Sequence, residues 1–213
     1  MNGSEKPITF CVFNWAGTRK FGTTLAQTVF QYTKNEGCGK TYFDPADPTP
    51  NKVKAPELME KVLRANLVDI LSLNENEAVF FASLINPEIE RLKGKLGLEE
   101  LAVESAKALA KHLDARIDLH ATSLSASFTK GNGTVVPAFK VPVLRATGTG
   151  DAWNAGNIIG DAYGLPDAVR LTLANATAAY YISNPEAEHP TRSQLARFCN
   201  KLKGLWKTET DKS

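Results

Sequence analysis

Hydrophobic and polar positions along the chain change repeatedly between a two-residue period and a period of three to four residues. Short runs rich in apolar, β-branched and aromatic residues predict strands. These strand-like segments are ITFCVFNW, KTYFDPADPTP (broken at Pro45), LVDILSLN, RIDLHAT and the two arms of SASFTKGNGTVVPAF. Longer segments with helical spacing lie between and after them: TTLAQTVFQYTKNEG, APELMEKVLRAN, ENEAVFFASLI, LEELAVESAKALAKHLDA, and residues 151–163, 166–182 and 191–204.

The segment LEELAVESAKALAKHLDA has the clearest amphipathic pattern in the chain. Its apolar stripe consists of Leu98, Leu101, Ala102, Ala106, Leu109, Ala110 and Leu113. Thr23 and Thr191 are predicted to cap their helices, and Gly131-Asn132-Gly133 is predicted to be a hairpin turn. We interpret the charged stretch PEIERLKGKLG as a surface loop.

Strand and helix alternation predicts a three-layer α/β fold, with a largely parallel sheet and helices on both faces. We expect one domain over residues 1–205 and a flexible tail over residues 206–213. Ligands of such sheets bind at the carboxyl ends of the strands. Three polar stretches follow predicted strands, namely FDPADP, LNENE and ATGTGD.

Composition excludes several classes of protein. The 213 residues are 43% hydrophobic and 23% charged, with 25 basic and 23 acidic residues spread along the chain. No basic block is interleaved with aromatics, so we expect no nucleic-acid partner. There is no signal-peptide pattern and no apolar run long enough for a membrane span. Cys11, Cys38 and Cys199 lack metal-ligand spacing, and we expect them to be reduced, buried thiols of a cytoplasmic protein.

The stretch RATGTGDAWNAGNIIG places small, permissive residues between a strand and a helix. In such a turn the amides of Thr149, Gly150 and Asp151 can converge on a phosphoryl oxygen, helped by the helix dipole. A carboxylate at Asp151 would then be placed to take a proton from an attacking hydroxyl. A plain glycine-rich turn with Asp151 as a helix cap is the alternative.

Small residues also recur along the helix that follows this turn. Ala152, Gly156 and Gly160 are spaced four residues apart and therefore share one helix face. We expect this face to pack closely on a neighbouring helix and thereby fix where the helix N-terminus points.

Several of these motifs resemble one known family in both content and order. TGTGDAWNAG is very similar to the TGAGDAFNAG signature of the ribokinase-like (PfkB) carbohydrate kinases, and LNENEA resembles their N-x-x-E element. ANATAAYYIS and HPTRSQLARF resemble the C-terminal helices of the family. The resemblance extends from about Ile8 to Lys203 and implies an ATP- and Mg²⁺-dependent kinase of a sugar or related small alcohol.

The resemblance also implies roles for individual residues. Asp151 would be the catalytic base, and the turn of Gly148, Thr149 and Gly150 would be the anion hole for the transferred phosphoryl group. Asn74 and Glu77 would organise the water shell of Mg²⁺. Two further positions, Thr122 and Asn175, would lie at the nucleotide.

Two of these assignments have alternatives in the residues themselves. Asn74 and Glu77 have the spacing of a helix capping box. Asp44 and Asp47 could contact the cation or the phosphoryl acceptor, but they could equally be turn residues that bond their own backbone beside the prolines.

The chain departs from the family pattern at two places. The stretch ATSLSASF keeps Thr122 but lacks both glycines of the family's T-x-G-x-x-G element, where Ser123 or Ser125 could contribute instead. The N-terminal part of the family, which carries the acceptor contacts and a β-lid, has no counterpart here. We therefore expect an unfinished sheet edge and a possible homodimer, and a non-catalytic nucleotide-binding module is the alternative function. An α/β domain without a ligand is a third possibility.

Overall fold

The computed structural model describes residues 8–210. The chain forms two compact units that divide between Val135 and Val136. Residues 206–210 lie within the last helix, so that helix extends past the predicted end at residue 204, while residues 211–213 lie outside the described part.

A six-stranded sheet organises the first unit, with its strands in sequence order. The first four strands run parallel, and the fourth and fifth pair antiparallel. The strands are β1 (Thr9–Phe13), β2 (Lys40–Asp44), β3 (Ile70–Asn74), β4 (Arg116–His120), β5 (Leu124–Thr129) and β6 (Asn132–Pro137). The register aligns Phe13 with Asp44 and Asn74 with His120, so these strand ends lie along the same edge of the sheet.

The connection between β5 and β6 is one residue earlier than the predicted turn. It consists of Lys130 and Gly131, and Gly131 adopts a positive φ of 86°. A two-residue connection between neighbouring strands requires an antiparallel hairpin, which the sequence predicted. Asn132 and Gly133 belong to β6 instead, where a Cβ on Gly133 would lie 2.6 Å from the Phe128 ring.

Among the described residues, four of the first unit's five α-helices lie where the pattern predicts them, and one does not. The five are α1 (Gly22–Glu36), α2 (Ala55–Leu58, continued by a wider turn over Met59–Leu63), α3 (Glu75–Ser83), α4 (Pro87–Leu92) and α5 (Leu98–His112). The exception is α4, which forms where we expected a loop. Pro87 opens this helix, and the Asn86 side chain accepts a hydrogen bond from the Glu88 amide.

Local details of two helices differ from the predictions. Thr23 does not cap α1; it is buried, and its hydroxyl accepts a hydrogen bond from the Trp15 indole at 3.0 Å. The apolar stripe of α5 is buried as predicted except at Leu98, which is exposed at the first position of the helix.

The core of the first unit forms where helix stripes meet the central strands. Phe30 of α1 and Phe43 of β2 are both buried and meet edge to face, with ring centroids 5.6 Å apart. β3 contributes a continuous apolar run, of which Ile70, Leu71 and Leu73 are buried. Burial of such side chains supplies about 1.5–3 kcal/mol each, so these central strands form a stable base for the polar residues that follow them.

The second unit consists mainly of α6 (Thr149–Ala162), α7 (Asp167–Ser183) and α8 (Arg192–Thr210). Its small core is formed by Val136, Trp153, Leu171, Ala174 and Ala178. The predicted cap of α8 is present, because the Thr191 hydroxyl accepts from the Gln194 amide at 3.3 Å and the Gln194 side chain accepts from the Thr191 amide at 2.8 Å.

The stripe of small residues on α6 allows the close helix packing that the sequence predicted. Ala152 is buried, and a Cβ on Gly156 would lie 2.8 Å from the Ala174 Cα of α7. A Cβ on Gly160 would lie 2.8 Å from the side chain of Arg170. The two helices therefore approach backbone to backbone, which fixes the direction of α6.

We expect Gly156→Ala to destabilise the protein by about 1–3 kcal/mol, because the added methyl group meets backbone that cannot move independently. Helix propensity alone would predict the opposite, a gain of about 1 kcal/mol. Urea unfolding at equilibrium measures the difference. The control is Ala155→Gly at the neighbouring exposed position, which should show only the propensity effect. A more stable Gly156→Ala protein would contradict the close packing.

Two further sequence expectations concern thiols and membranes. The three cysteines are partly exposed rather than buried, and the described residues contain no disulfide. Within residues 8–210, no helix combines the length and apolar character that crossing a bilayer requires.

Candidate functional site

The N-terminus of α6 is built on a left-handed glycine. Gly148 has φ 84° and ψ 0°, and it directly precedes the first residue of the helix. This conformation is disfavoured for residues with a Cβ. Space is also restricted, because a Cβ on Gly148 would lie 2.6 Å from the Tyr181 hydroxyl. The turn therefore needs glycine at this position for both reasons.

The amides at this helix end are not equivalent. Thr149 donates its N–H to the Ala146 carbonyl at 3.2 Å, and its hydroxyl donates to the same oxygen at 2.6 Å. The Thr149 N–H, which the sequence predicted to donate to an anion, is therefore already hydrogen-bonded within the turn. Within the described structure, no residue of the preceding turn (146–149) accepts a hydrogen bond from the N–H of Gly150 or Asp151. First-turn amides lack intrahelical acceptors, so these two are available to an anion.

Asp151 lies in the first turn of α6 and is exposed. No hydrogen bond or ion pair to its carboxylate is found within the described residues. An acidic residue here is stabilised by the positive end of the helix dipole. The carboxylate therefore lies at the helix N-terminus and faces solvent.

Asn74 and Glu77, at the junction of β3 and α3, form the capping box that was the alternative to a metal site. The Asn74 side chain accepts from the Glu77 amide at 3.0 Å, and the Glu77 carboxylate accepts from the Asn74 amide at 2.9 Å. A further hydrogen bond joins Asn74 Nδ2 to Glu77 Oε1 at 2.7 Å. The capping function is present, and the role of the pair at a cation stays a prediction.

Asp44 and Asp47 both bond to nearby backbone, as the turn alternative predicted. Asp44 accepts from the Ala46 amide at 2.9 Å, and Asp47 accepts from the Thr49 amide at 3.0 Å. Both carboxylates nevertheless lie close enough to Glu77 to affect its ionisation. The first unit thus brings together three of its predicted acidic site residues.

Glu77 is a buried acid among other acids. Its residue is 3% exposed, and its pKa is raised to about 8, with burial as the largest cause. The negative charge of Asp44 is the second contribution to this rise, and Asp47 and Glu75 add smaller ones. The hydrogen bond from the Asn74 amide opposes the rise without cancelling it.

This arrangement suits a hydrated divalent cation better than a directly ligated one. Within residues 8–210 there is no group of three or more His, Cys, Asp or Glu side chains arranged to hold a metal ion directly. Acidic groups beside an amide oxygen attract a cation that keeps its waters, which is how Mg²⁺ commonly binds, and the charge of such a cation would favour the ionised form of Glu77. The donor set therefore fits Mg²⁺ held through water.

The raised pKa of Glu77 predicts a pH-dependent stability. The folded protein keeps this proton up to about pH 8, whereas the unfolded chain loses it near the ordinary value of 4.5. The unfolded state therefore binds fewer protons in this window, and the free energy of unfolding falls as the pH rises from about 4.5 to about 8. We expect a loss of about 3–5 kcal/mol, and Glu77→Gln should remove it.

Urea unfolding in EDTA between these two pH values tests this prediction. Glu104→Gln, on the surface of α5, is the control and should keep the wild-type slope. An unchanged slope in Glu77→Gln would show that Glu77 is not the titrating group.

Thr122 and Asn175 were predicted at the nucleotide, and the structure shows their protein partners. The Thr122 amide and hydroxyl donate to the Glu75 carboxylate at 2.7 and 3.0 Å. The side-chain amide of Asn175 accepts at Oδ1 from the Trp153 indole at 2.9 Å and donates from Nδ2 to the Pro137 carbonyl at 3.0 Å. These contacts order both residues, and their role in nucleotide binding stays a prediction.

Sequence reasoning missed the residues that support the two helix N-termini. The Arg145 guanidinium bonds to the Tyr181 carbonyl and lies over its ring, and the Tyr181 hydroxyl bonds to Thr147, before α6. At the start of α3, the Glu75 carboxylate accepts from the Thr122 amide. Arg145 is the first residue of the glycine-rich stretch RATGTGDAWNAGNIIG, yet its partners lie 36 to 40 residues away. No local spacing indicates such contacts.

Comparison with known proteins places this fold among kinases. The three-layer α/β fold with a mostly parallel sheet, which the sequence predicted, matches solved structures of ribokinase-like kinases. The family model described as pfkB family carbohydrate kinase matches residues 12–194. The chain belongs to this family. A comparison with curated proteins gives no match.

Three solved structures show the extent of the similarity. An adenosine kinase from Sinorhizobium meliloti has 16% identity and a TM-score of 0.70, over 91% of this chain and 54% of that one. A protein assigned as ribokinase II from E. coli, in complex with ATP and Mg²⁺, also has 16% identity and a TM-score of 0.70, over 91% and 58%. A fructokinase from Vibrio cholerae O395, with bound fructose, ADP and calcium ion, has 18% identity and a TM-score of 0.65, over 93% and 62%. The chain thus spans 54 to 62% of the length of these three structures.

Proposed function

We propose that this protein transfers the γ-phosphoryl group of ATP to a hydroxyl of a sugar or related small alcohol. The observation that carries the proposal is the N-terminus of α6, where an exposed Asp151 follows a left-handed glycine. Family membership over residues 12–194 supports this class of reaction.

The anion hole in this proposal consists of the amides of Gly150 and Asp151, within the turn that Gly148 and Thr149 shape. These amides would donate hydrogen bonds to the oxygens of the transferred phosphoryl group, where negative charge accumulates during transfer. Preorganised donors of this kind stabilise the transition state because they need no reorientation when the reaction occurs.

Asp151 would act as the general base. Its carboxylate takes the proton of the acceptor hydroxyl as that oxygen forms a bond to the γ-phosphorus of ATP. The bond from the γ-phosphorus to the bridging oxygen breaks, and ADP leaves with the electron pair of that bond. An exposed carboxylate without an internal partner can accept this proton without breaking another interaction.

Asn74 and Glu77, together with Asp44, would hold Mg²⁺ through its water shell. When bound, Mg²⁺ neutralises phosphate charge. The Asn74–Glu77 capping box keeps both side chains in place without a ligand, which supports this assignment.

A nucleotide-binding module without transferase activity is the second candidate. The observation that favours it is length, since the chain spans only 54 to 62% of three solved kinases that it resembles. In this case the anion hole would bind nucleotide, and no acceptor would be aligned with it.

Two measurements on the purified protein distinguish the candidates. The first is ADP release from ATP and Mg²⁺ in the presence of pentoses, hexoses or nucleosides, with the phosphorylated product identified by mass spectrometry. The second is the change in melting temperature with ATP or ADP. A phosphorylated product supports the kinase. A nucleotide-dependent shift without product supports the module, and neither effect would contradict both candidates.

A further inference from the structure

The guanidinium of Arg145 is surrounded by backbone carbonyl oxygens of the second unit. Its Nη1 donates to the carbonyls of Tyr181, at 3.2 Å, and Asn184. Its Nη2 donates to the Pro185 carbonyl at 2.7 Å. In the described part of the chain, no carboxylate forms an ion pair with Arg145. A cation here is thus neutralised by carbonyl dipoles and not by an acid.

These carbonyls belong to the end of α7 and the residues directly after it. The last carbonyls of a helix lack intrahelical partners and form the negative end of its dipole. A guanidinium satisfies several of them together because its donors have a fixed, fork-like geometry. Hydrogen bonds from a charged donor are also stronger than those from a neutral one.

The same two segments are joined at three further points around Arg145. The Leu144 amide donates to the Ile182 carbonyl at 2.9 Å. The Tyr181 hydroxyl donates to the Thr147 carbonyl at 3.2 Å, and the Arg145 guanidinium lies 5.8 Å from the centre of the Tyr181 ring. Residues 144–147 are therefore held along the end of α7, and the left-handed Gly148 follows at once.

We propose that Arg145 is a positioning residue for phosphoryl transfer. It acts as an internal cation that holds the 146–149 turn, and through it the amides of Gly150 and Asp151, in the conformation that receives the phosphoryl group. Without this charge, several carbonyl oxygens would face one another with no donor between them, and the turn would lose its anchor. This inference rests on the proposed anion hole, because it assigns Arg145 to that site.

The contacts of Arg145 determine what the experiment must measure. Its guanidinium bonds to carbonyls at the end of α7 and after it, so its removal should reduce the order of the turn and, through the turn, misplace the phosphate-binding amides without deleting them. Small errors in the placement of catalytic groups reduce rates strongly, by about 100-fold for a displacement of 1 Å. We therefore expect Arg145→Ala to lower both nucleotide affinity and kcat by at least about tenfold.

Arg145→Ala, Arg145→Lys and the control Arg197→Ala form a matched set. Arg197 is an exposed arginine of α8, so its removal changes the net charge equally. Calorimetric titration with ADP gives the affinity. Amide hydrogen exchange by NMR reports on Thr149 and Ala152, whose N–H groups are hydrogen-bonded to carbonyls of the turn at 3.2 and 3.0 Å. Arg145→Ala should exchange faster at these amides, Arg145→Lys should be intermediate, and Arg197→Ala should match the wild type.

Chemical rescue separates loss of the cation from general damage to the fold. About 10 mM guanidinium chloride, far below the molar concentrations that unfold proteins, should restore part of the ADP affinity of Arg145→Ala and slow its exchange at the turn. The wild type and Arg197→Ala should not respond.

Each outcome of this experiment decides one proposal. Equal ADP affinity and equal exchange in Arg145→Ala and the wild type would overturn the role of Arg145. Faster exchange spread over all of α6 and α7, without rescue, would also overturn it, because it indicates a folding defect. If wild-type protein binds neither ADP nor inorganic phosphate, the anion hole itself is wrong. The exchange measurement then still shows whether Arg145 holds the turn.

Discussion

Asp151→Asn should lower kcat for phosphoryl transfer by about 10²–10⁴-fold, the range typical of a lost general acid–base group, while ADP affinity stays within about twofold of the wild-type value. The amide of asparagine has nearly the same shape as the carboxylate but cannot accept the proton of the acceptor hydroxyl. The substitution breaks no hydrogen bond or ion pair among the described residues, because the exposed Asp151 side chain forms none. The expected cost in stability is only that of a first-turn acid, about 0.3–1 kcal/mol.

Steady-state rates with the best acceptor and calorimetric titration with ADP measure the two quantities separately. Asp114→Asn is the control, since Asp114 is an exposed aspartate of the first unit that pairs with Lys130. Turnover of Asp151→Asn at the wild-type rate would exclude Asp151 as the base. Loss of ADP binding together with loss of turnover would instead indicate that the substitution disturbs the turn.

Gly148→Ala is the substitution for which we expect the largest structural effect on the site. The added Cβ has two costs. A left-handed backbone costs a non-glycine residue about 1–2 kcal/mol, and the Cβ would lie 2.6 Å from the Tyr181 hydroxyl. Tyr181 cannot easily move away, because its ring stacks on His189 with centroids 4.7 Å apart. We expect a loss of about 2–4 kcal/mol in stability and a loss of nucleotide binding.

Gly164→Ala provides a control that separates these two costs. Gly164 also has a positive φ, 64°, but a Cβ there meets nothing within 4 Å. It should therefore show the backbone strain alone, about 1–2 kcal/mol, with normal nucleotide binding. Equal effects of the two substitutions, in urea unfolding and in ADP titration, would show that the contact with Tyr181 has no consequence.

Much of the fold follows from patterns that span only a few residues. The apolar stripe of α5 is buried from Leu101 to Leu113 as its spacing predicts. Gly156 and Gly160 pack closely against α7, as expected from a helix face made of small residues. Both capping boxes, Asn74 with Glu77 and Thr191 with Gln194, join residues three positions apart. In these cases the interacting atoms are close in sequence, so the pattern contains the whole interaction.

Predictions were weaker where a residue has a partner other than the one its local pattern indicates. Thr23 has the residue type of a helix cap, yet the Trp15 indole donates to its hydroxyl inside the core. The amide of Thr149 bonds to Ala146 instead of remaining available to an anion. The segment predicted as a loop after α3 forms a short helix because Asn86 caps it.

The sequence by itself determined the α/β class, the order of the strands and helices, and the positions of Gly148 and Asp151 at a helix N-terminus. It also determined family membership through the order of its motifs. Only the tertiary structure decided the pKa of Glu77, which depends on burial and on the charge of Asp44. It also decided the contact of Arg145 with carbonyls 36 to 40 residues away. The physical reason is range: backbone preferences and helix caps act between near neighbours, whereas desolvation and charge interactions depend on which distant segments the fold brings together.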